Sequence, residues 1–332
     1  MSESVRGIDA VITWVDVNDP KHRKKWKKHK KKNRNIDNEL ITGRDKTRFV
    51  NNGELQYCLC SIRKFAPWIR KIFLITDNQI PDFVDDEFIK DHNLSIINHK
   101  TIFKSYEWAL PTFNSRTLES MLWRVPDLSN HFIYFNDDFV LTKPMSPSDF
   151  FRENRVVLRG SWKKIRNYGA FRLKINEWVS TIAKRLFGIT RSMNLLLQIK
   201  SAKLAGFNYK YFKSPHVPHP LRKKSISDFF DINPLLLSEN IRFKFRNMDQ
   251  FSAVYLANHL EIKNDNAIIE DENDFIMING EMEIGVTFES KLKKIKNQDI
   301  RFLCIQGFES LKNDQQLELD LILRDLLGIN SI

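Results

Sequence analysis

Four short runs constrain this chain more than anything else in it: "AVITWVD" (10–16), "KIFLITD" (71–77), "LSIINH" (94–99) and "HFIYFNDD" (131–138). Each is near-continuously apolar. A strand wetted on one side alternates apolar and polar residues, whereas a strand covered on both faces does not, and such strands belong to parallel sheets between layers of helices. Between the runs the period changes. Leu55, Leu59, Ile62 and Phe65 recur at helical spacing before Pro67, and Leu118, Met121, Leu122 and Val125 do so before Pro126. Asn114 or Ser115 suits the N-cap of the second helix. Strand–helix–strand alternation predicts an α/β domain with a mostly parallel sheet.

The strand ends share a character. The first ends on Asp16, the second on Asp77, the third on His99 and the fourth on Asp137-Asp138. In a parallel sheet these ends lie along one edge, and ligands of open α/β sheets bind in the crevice outside it. "Asn136-Asp137-Asp138" followed by a second apolar run reads in one of two ways. It is a hairpin turn, or it is a pair of carboxylates whose cost beside apolar surroundings is offset by a divalent cation.

Later signals are sparser. "SPHVPHPLRKKS" (214–225), with three prolines, predicts a fixed extended loop presenting His216 and His219. The stretch from Glu239 begins extended and turns helical near Met248. "IRFLCIQG" (300–307) reads as a further buried strand, and "DQQLELDLILRDLLG" (314–328) as an amphipathic helix stopped by Gly328.

The 332 residues suffice for one large or two modest domains, and no apolar run reaches the roughly 18 residues of a membrane span. The start resembles a first strand rather than a signal peptide. Three cysteines, Cys58, Cys60 and Cys304, make neither a disulfide framework nor a four-ligand zinc site, so a reducing cytoplasm is expected. The net charge of +12 is concentrated. Residues 21–34 carry ten Lys/Arg and no acid, and residues 152–210 carry 14 against Glu153 and Glu177. Such blocks are solvated surface, or they bind polyanions. Within the second block Trp178, Ile182, Leu186, Ile189 and Met193 step at three or four residues beside Lys184, Arg185 and Arg191. That pattern predicts a helix packed on the core or lying on an anionic membrane surface.

Five segments together resemble a known family: "IDAVITWVDVNDP", "RFVNNGELQYCLCSIRKFAPWIRKIFLITDNQIP", "LPTFNSRTLESMLWRVPDLSNHFIYFNDDFVL", "SPHVPHPLRKK" and "IRFKFRNMDQF". Their order and spacing are similar to the conserved regions of the Stealth family. That family comprises bacterial capsular-polysaccharide phosphotransferases and the eukaryotic N-acetylglucosamine-1-phosphotransferase. The match is dense over 8–145 and thinner over 211–260.

The resemblance implies a Rossmann-like (glycosyltransferase-A-like) sheet with helices on both faces. Its expected division is a nucleotide-sugar and metal-binding core (1–150), a basic helical insertion (151–210) and the rest of the catalytic core (211–332). It implies transfer of a sugar-1-phosphate, for example N-acetylglucosamine-1-phosphate, from a nucleotide diphosphate sugar such as UDP-GlcNAc to an acceptor hydroxyl, with attack at phosphorus. Asp137 and Asp138 would hold Mg²⁺ or Mn²⁺. Glu119, Asp138 and His216 would be catalytic, His216 as general base or phosphate ligand. Asp16, Arg48, Asn52, Asp77, Asn114, Ser115, Arg246 and Asp249 would bind substrate. The expected partners are the donor, a polysaccharide or glycolipid acceptor and, peripherally, the inner membrane face; no specific nucleic acid is expected. Departures from the family pattern fall at Cys60, Met121, Trp123 and "CIQG". Two other readings stand beside this one: a metal-dependent glycosyltransferase releasing a nucleoside diphosphate, and a non-catalytic polyanion-binding protein.

Overall fold

In the computed structural model, residues 7–16, 18–32, 53–165, 191–271 and 273–329 are described. The four expected strands, β1 (Ile8–Thr13), β2 (Ile72–Thr76), β3 (Leu94–Asn98) and β4 (His131–Asn136), form a five-stranded sheet with β10 (His219–Arg222), a segment the sequence reads as loop. Its order is β10-β4-β1-β2-β3, with β1 to β4 mutually parallel and β10 antiparallel to β4. Both faces are covered, which is why the runs carry no polar alternation. Ala10, Ile12, Leu74, Ile133 and Phe135 pack with Leu55, Leu59 and Ile62 of the helix Glu54–Phe65. Val11, Phe73, Ile75, Phe132 and Tyr134 pack with Leu118, Met121 and Leu122 on the other side. The architecture is thus mixed α/β around a parallel-rich sheet.

A shorter strand, β5 (Phe139–Leu141), follows β4 without pairing to it. Instead it joins β12 (Phe275–Asn279) and β13 (Phe302–Gln306) in a second sheet of order β12-β13-β5. Asn136-Asp137-Asp138 is therefore a crossing from one sheet to another, not a hairpin turn.

Other elements depart from expectation for local reasons. The helix capped by Asn114 is short, Ser115–Glu119, and the chain resumes as a 3-10 turn at Leu122–Arg124. Ser120 Oγ donates to the Arg116 carbonyl at 2.9 Å, drawing that carbonyl toward a side chain at the point where the helix ends. Within "SPHVPHPLRKKS" the end is strand rather than loop. Pro220 is tolerated there because β10 is the sheet's edge, where a missing N–H costs no ladder bond. Helix begins not near Met248 but at Ala253, whose N-cap Ser252 accepts from Tyr255 N.

The basic stretch 151–210 is not all helix: it holds β6 (Phe151–Arg152), β7 (Arg155–Arg159), β8 (Ser161–Lys164), the helix Arg191–Leu204 and the start of β9 (Lys210–Lys213). β7 pairs with β6 and, in parallel, with β11 (Ala267–Glu270). The predicted amphipathic segment around Trp178, Ile182, Lys184, Arg185 and Leu186 lies outside the described residues. The closing helix runs Asn313–Leu327 and stops at Gly328, whose φ of 71° is the left-handed conformation glycine adopts at least cost. Among the described residues no helix is long and apolar enough to cross a membrane.

The first basic block is also helical, Pro20–Lys32. It is docked rather than loose. His22 is 2% exposed, its ring meeting Phe113 edge-on at 5.3 Å, and Trp26 meets Phe245 edge-on at 6.4 Å. Phe113 and Phe245 stack on each other at 5.3 Å.

Candidate active site

β4 leaves the first sheet at Asn136 and the second sheet takes up the chain at Phe139, so Asp137 and Asp138 occupy the gap between them. Two backbone facts fix the gap. The Asp138 carbonyl accepts from Ile305 N at 2.9 Å, and β5 pairs antiparallel with β13. Beside them comes the segment leading into β10. Because β10 runs antiparallel with His219 opposite Tyr134, the residues before it lie at the carboxyl end of β4. His216 Nε2 lies 3.8 Å from Asp138 Oδ2 and 3.2 Å from Asn136 Nδ2, and its ring meets Phe139 edge-on at 4.7 Å. Cys304 Sγ donates to Asp138 Oδ2 at 3.5 Å.

The two histidines of the proline-rich segment face different surroundings. His216 stands with the acids, while His219 is buried, its Nδ1 3.5 Å from the Asn258 amide. Burial, with the neighbouring His216, pushes the His219 pKa down to about 3, so it remains neutral.

The acids are electrostatically unsettled. Burial pushes the Asp137 carboxyl well above the usual range, and the charges of Asp138 and Glu54 push it further. Asp138 Oδ1 is buried with no hydrogen-bond partner among the described residues, and no lysine or arginine described pairs with either acid. Two adjacent carboxylates, one disfavoured in its charged form and one with an orphaned oxygen, suit a bound cation. Asp138, His216 and Cys304 moreover each offer a ligand atom, all within 4.8 Å of one another. The donor set gathered among the described residues is therefore Asp138, His216 and Cys304, and Asp137 adjoins it without being one of the three.

Glu119 ends the helix Ser115–Glu119 and its Oε2 accepts from Ser252 Oγ at 2.9 Å. Burial raises its pKa; Ser252 and the charges of Arg116 and His216 oppose that rise. Glu119 thus shares the electrostatic neighbourhood of His216. The structure sets His216 against Asp138 and places Glu119 within electrostatic range of His216, while Asp137 lies under the influence of Asp138 and Glu54.

The other expected residues divide. Ser115 Oγ accepts from Arg246 Nη2 at 2.9 Å, so these two form a pair beside the Glu119 helix. The Asn114 side chain is taken up by structure: Oδ1 caps Arg116 N, and Nδ2 donates to Phe245 O, Phe243 O and Gln250 Oε1. Asp249 is exposed on the loop that follows Arg246, its amide donating to Asn247 Oδ1 at 2.8 Å. Asp16 closes a local turn through Asn18 N at 2.8 Å, and its backbone N–H and carbonyl bond the Gln79 amide. Asp77 accepts from Lys25 Nζ at 2.8 Å, with His22 Nδ1 at 3.3 Å. His99 is buried with neither ring nitrogen partnered among the described residues, and burial lowers its pKa to about 4. Arg48 and Asn52 lie outside the described residues.

Sequence reasoning missed Cys304 beside Asp138, Ser252 beside Glu119, and His22 and Lys25 on Asp77. Only Cys304 had a signal, as a departure within "CIQG". The other departures prove to be packing or burial: Met121 is fully buried, Trp123 half-buried, and the Cys60 thiol is pushed up to about 11 by burial.

Fold and site together define an α/β protein with a polar, acid-lined carboxyl edge. Residues 48–158 match the family model described as Stealth protein CR2, conserved region 2. The chain belongs to the Stealth family. The capsular polysaccharide phosphotransferase fcs1 of Haemophilus influenzae is 44% identical over 150 residues, 45% of this chain and 39% of that protein. LcbA of Aeromonas hydrophila, also called a capsular polysaccharide phosphotransferase, is 34% identical over 228 residues, 67% of this chain and 56% of that one. The exopolysaccharide phosphotransferase cps2G of Lactiplantibacillus plantarum is 28% identical over 273 residues, 77% and 75%. Against the first two, the match spans about half of the relative's length. Among solved structures the chain is similar to the galactosyltransferase LgtC with a TM-score of 0.40 and 8% identity over 98% of this chain and 97% of that one. A likeness at that score carries no weight for function.

Proposed function

We propose that this chain transfers a sugar-1-phosphate, for example N-acetylglucosamine-1-phosphate, from a nucleotide diphosphate sugar to an acceptor hydroxyl in capsular or exopolysaccharide biosynthesis. The observation that carries the reading is the meeting of Asp138 and His216 at the end of β4, with Asp137 adjoining in the chain and Glu119 in electrostatic range of His216. Relatives named as polysaccharide phosphotransferases support it.

The acceptor hydroxyl attacks the sugar-linked phosphorus, a P–O bond forms to the acceptor, the bond to the nucleotide breaks, and a nucleoside monophosphate leaves. His216 receives the acceptor proton. Asp138 at 3.8 Å and the Glu119 carboxylate stabilise the imidazolium that results. Arg246, held by Ser115, supplies a cationic donor to the transferred phosphoryl group. A divalent ion such as Mg²⁺ or Mn²⁺ held at Asp138, with Asp137 adjoining it in the chain, would neutralise charge on the diphosphate.

Incubation with a panel of nucleotide sugars, a divalent cation and a saccharide acceptor tests the reading, with the released nucleotide identified. A nucleoside monophosphate with a phosphodiester product is expected. Release of a nucleoside diphosphate would replace this reading with glycosyl transfer. The peripheral membrane contact expected of the amphipathic segment around Trp178, Ile182 and Lys184 would be read by vesicle sedimentation.

A further inference from the structure

The helix Pro20–Lys32 has two faces of opposite character. Its inner face is fastened to the carboxyl edge: His22 and Lys25 bond Asp77 at the end of β2, His22 and His29 meet the Phe113 ring at 5.3 and 6.1 Å, and Trp26 meets Phe245. Phe113 precedes the Asn114 cap of the Glu119 helix, and Phe245 precedes Arg246. The helix is therefore pinned against the two segments that carry Ser115 and Arg246. Its outer face is cationic, with Lys24, Lys27 and Lys28 exposed and spaced three and four residues apart, and Lys21 and Arg23 exposed beside them. A row of lysines held on the rim of an acid-lined site is otherwise costly to maintain, since like charges three and four apart on a helix repel.

We propose that this outer face is the docking track for a phosphodiester-linked saccharide polymer, the growing acceptor of the reaction. This rests on the function proposed above: each sugar-1-phosphate transferred leaves one anionic phosphodiester in the product, so the elongating chain becomes a polyanion as it grows. Charge complementarity fits that occupant, and the placement of the aromatics favours it over two others. A membrane-surface helix turns apolar residues outward into the lipid, but the one large apolar side chain here, Trp26, is turned inward. Single-stranded nucleic acid binds to exposed aromatic platforms on which bases stack, and the outer face has none. A flexible polymer with isolated phosphates needs neither. It needs repeated cations along a rigid element, beginning next to the reacting centre.

The test uses the full chain and fluorescence anisotropy with labelled poly(glycerol phosphate), neutral dextran of similar length, a single-stranded RNA oligomer and phosphatidylglycerol vesicles as probes. Poly(glycerol phosphate) should bind and dextran should not, with affinity falling steeply as salt rises, as counterion release requires. The triple variant Lys24→Glu, Lys27→Glu, Lys28→Glu should lose roughly tenfold or more in polymer affinity, while nucleoside monophosphate release with a short neutral acceptor stays unchanged. A triple Lys→Gln variant, which adds no acid near Asp77, should show the same direction of loss if charge reversal undocks the helix. Unchanged polymer affinity in both variants, or binding of wild type to RNA or to vesicles that is tighter than to the polymer and is lost in the triple variants, would overturn the proposal. Absence of nucleoside monophosphate release from every donor would instead overturn the transferase reading, and the two failures are read from separate assays.

Discussion

At the end of β2, Asp77 accepts from Lys25 at 2.8 Å and from His22 at 3.3 Å. At the end of β4, on the same edge of the same sheet, Asp137 and Asp138 have no lysine or arginine among the described residues. The electrostatic outcomes are opposite. Burial alone would raise Asp77, but the hydrogen bonds from His22 and Lys25 overcome it and hold the pKa at about 2. Asp137 is pushed well above its usual range by burial and by the charges of Asp138 and Glu54. A strand-end carboxylate already matched by cations of its own chain is a fastening, whereas a pair left unmatched is a place where a ligand completes the charge balance.

Asp138→Asn breaks the contrast most directly. Asparagine keeps the shape and removes the charge, so transfer should be lost while the unfolding midpoint stays near wild type. Turnover close to wild type at saturating divalent cation would show that the pair is not where the ligand's charge is met.

A smaller loss is expected from His216→Ala: turnover falls by roughly 10²–10⁴-fold while donor affinity is retained. If donor affinity falls and saturated turnover does not, His216 is a binding group and the proton goes elsewhere. Glu119→Gln should cost on the order of tenfold to a hundredfold in turnover, as for one electrostatic contact to a developing charge. A near-normal rate would leave Glu119 as a helix-end charge held by Ser252.

The mildest change to turnover belongs to Asp77→Asn, which acts on stability. A carboxylate whose folded pKa is depressed from 3.8 to about 2 stabilises the fold above its unfolded pKa and loses that contribution as pH falls between those values. Wild type should therefore lose about 1–2 kcal/mol across that window in urea unfolding, and the Asn variant should show a flatter dependence. A variant that titrates like wild type would mean that the basic helix is not fastened through Asp77.

How far the sequence reveals all this depends on the range of the interaction. β1 to β4 are legible because burial on both faces writes itself into consecutive residues. The closing helix is legible because Gly328 marks its stop. β10 is not, because Pro220 argues against a strand until its edge position is known. β11 and β12 are half-buried and leave only a weak pattern. Asp137, Asp138 and His216 stand out by chemistry. Their surroundings do not: His22 reaches Asp77 across 55 residues and Cys304 reaches Asp138 across 166, separations over which local pattern carries no information.

That last separation has a consequence in time. The acidic pair is made early in synthesis, but the strand that fixes it through Ile305 N and Cys304 Sγ comes 166 residues later. At about 5–20 residues per second a ribosome needs roughly ten to thirty seconds to supply it. Throughout that interval the nascent chain carries its acids without the β5–β13 pairing that sets their geometry. The closing of so long a loop makes this among the later contacts to form. The geometry of the acidic pair is thus withheld until the second sheet is complete.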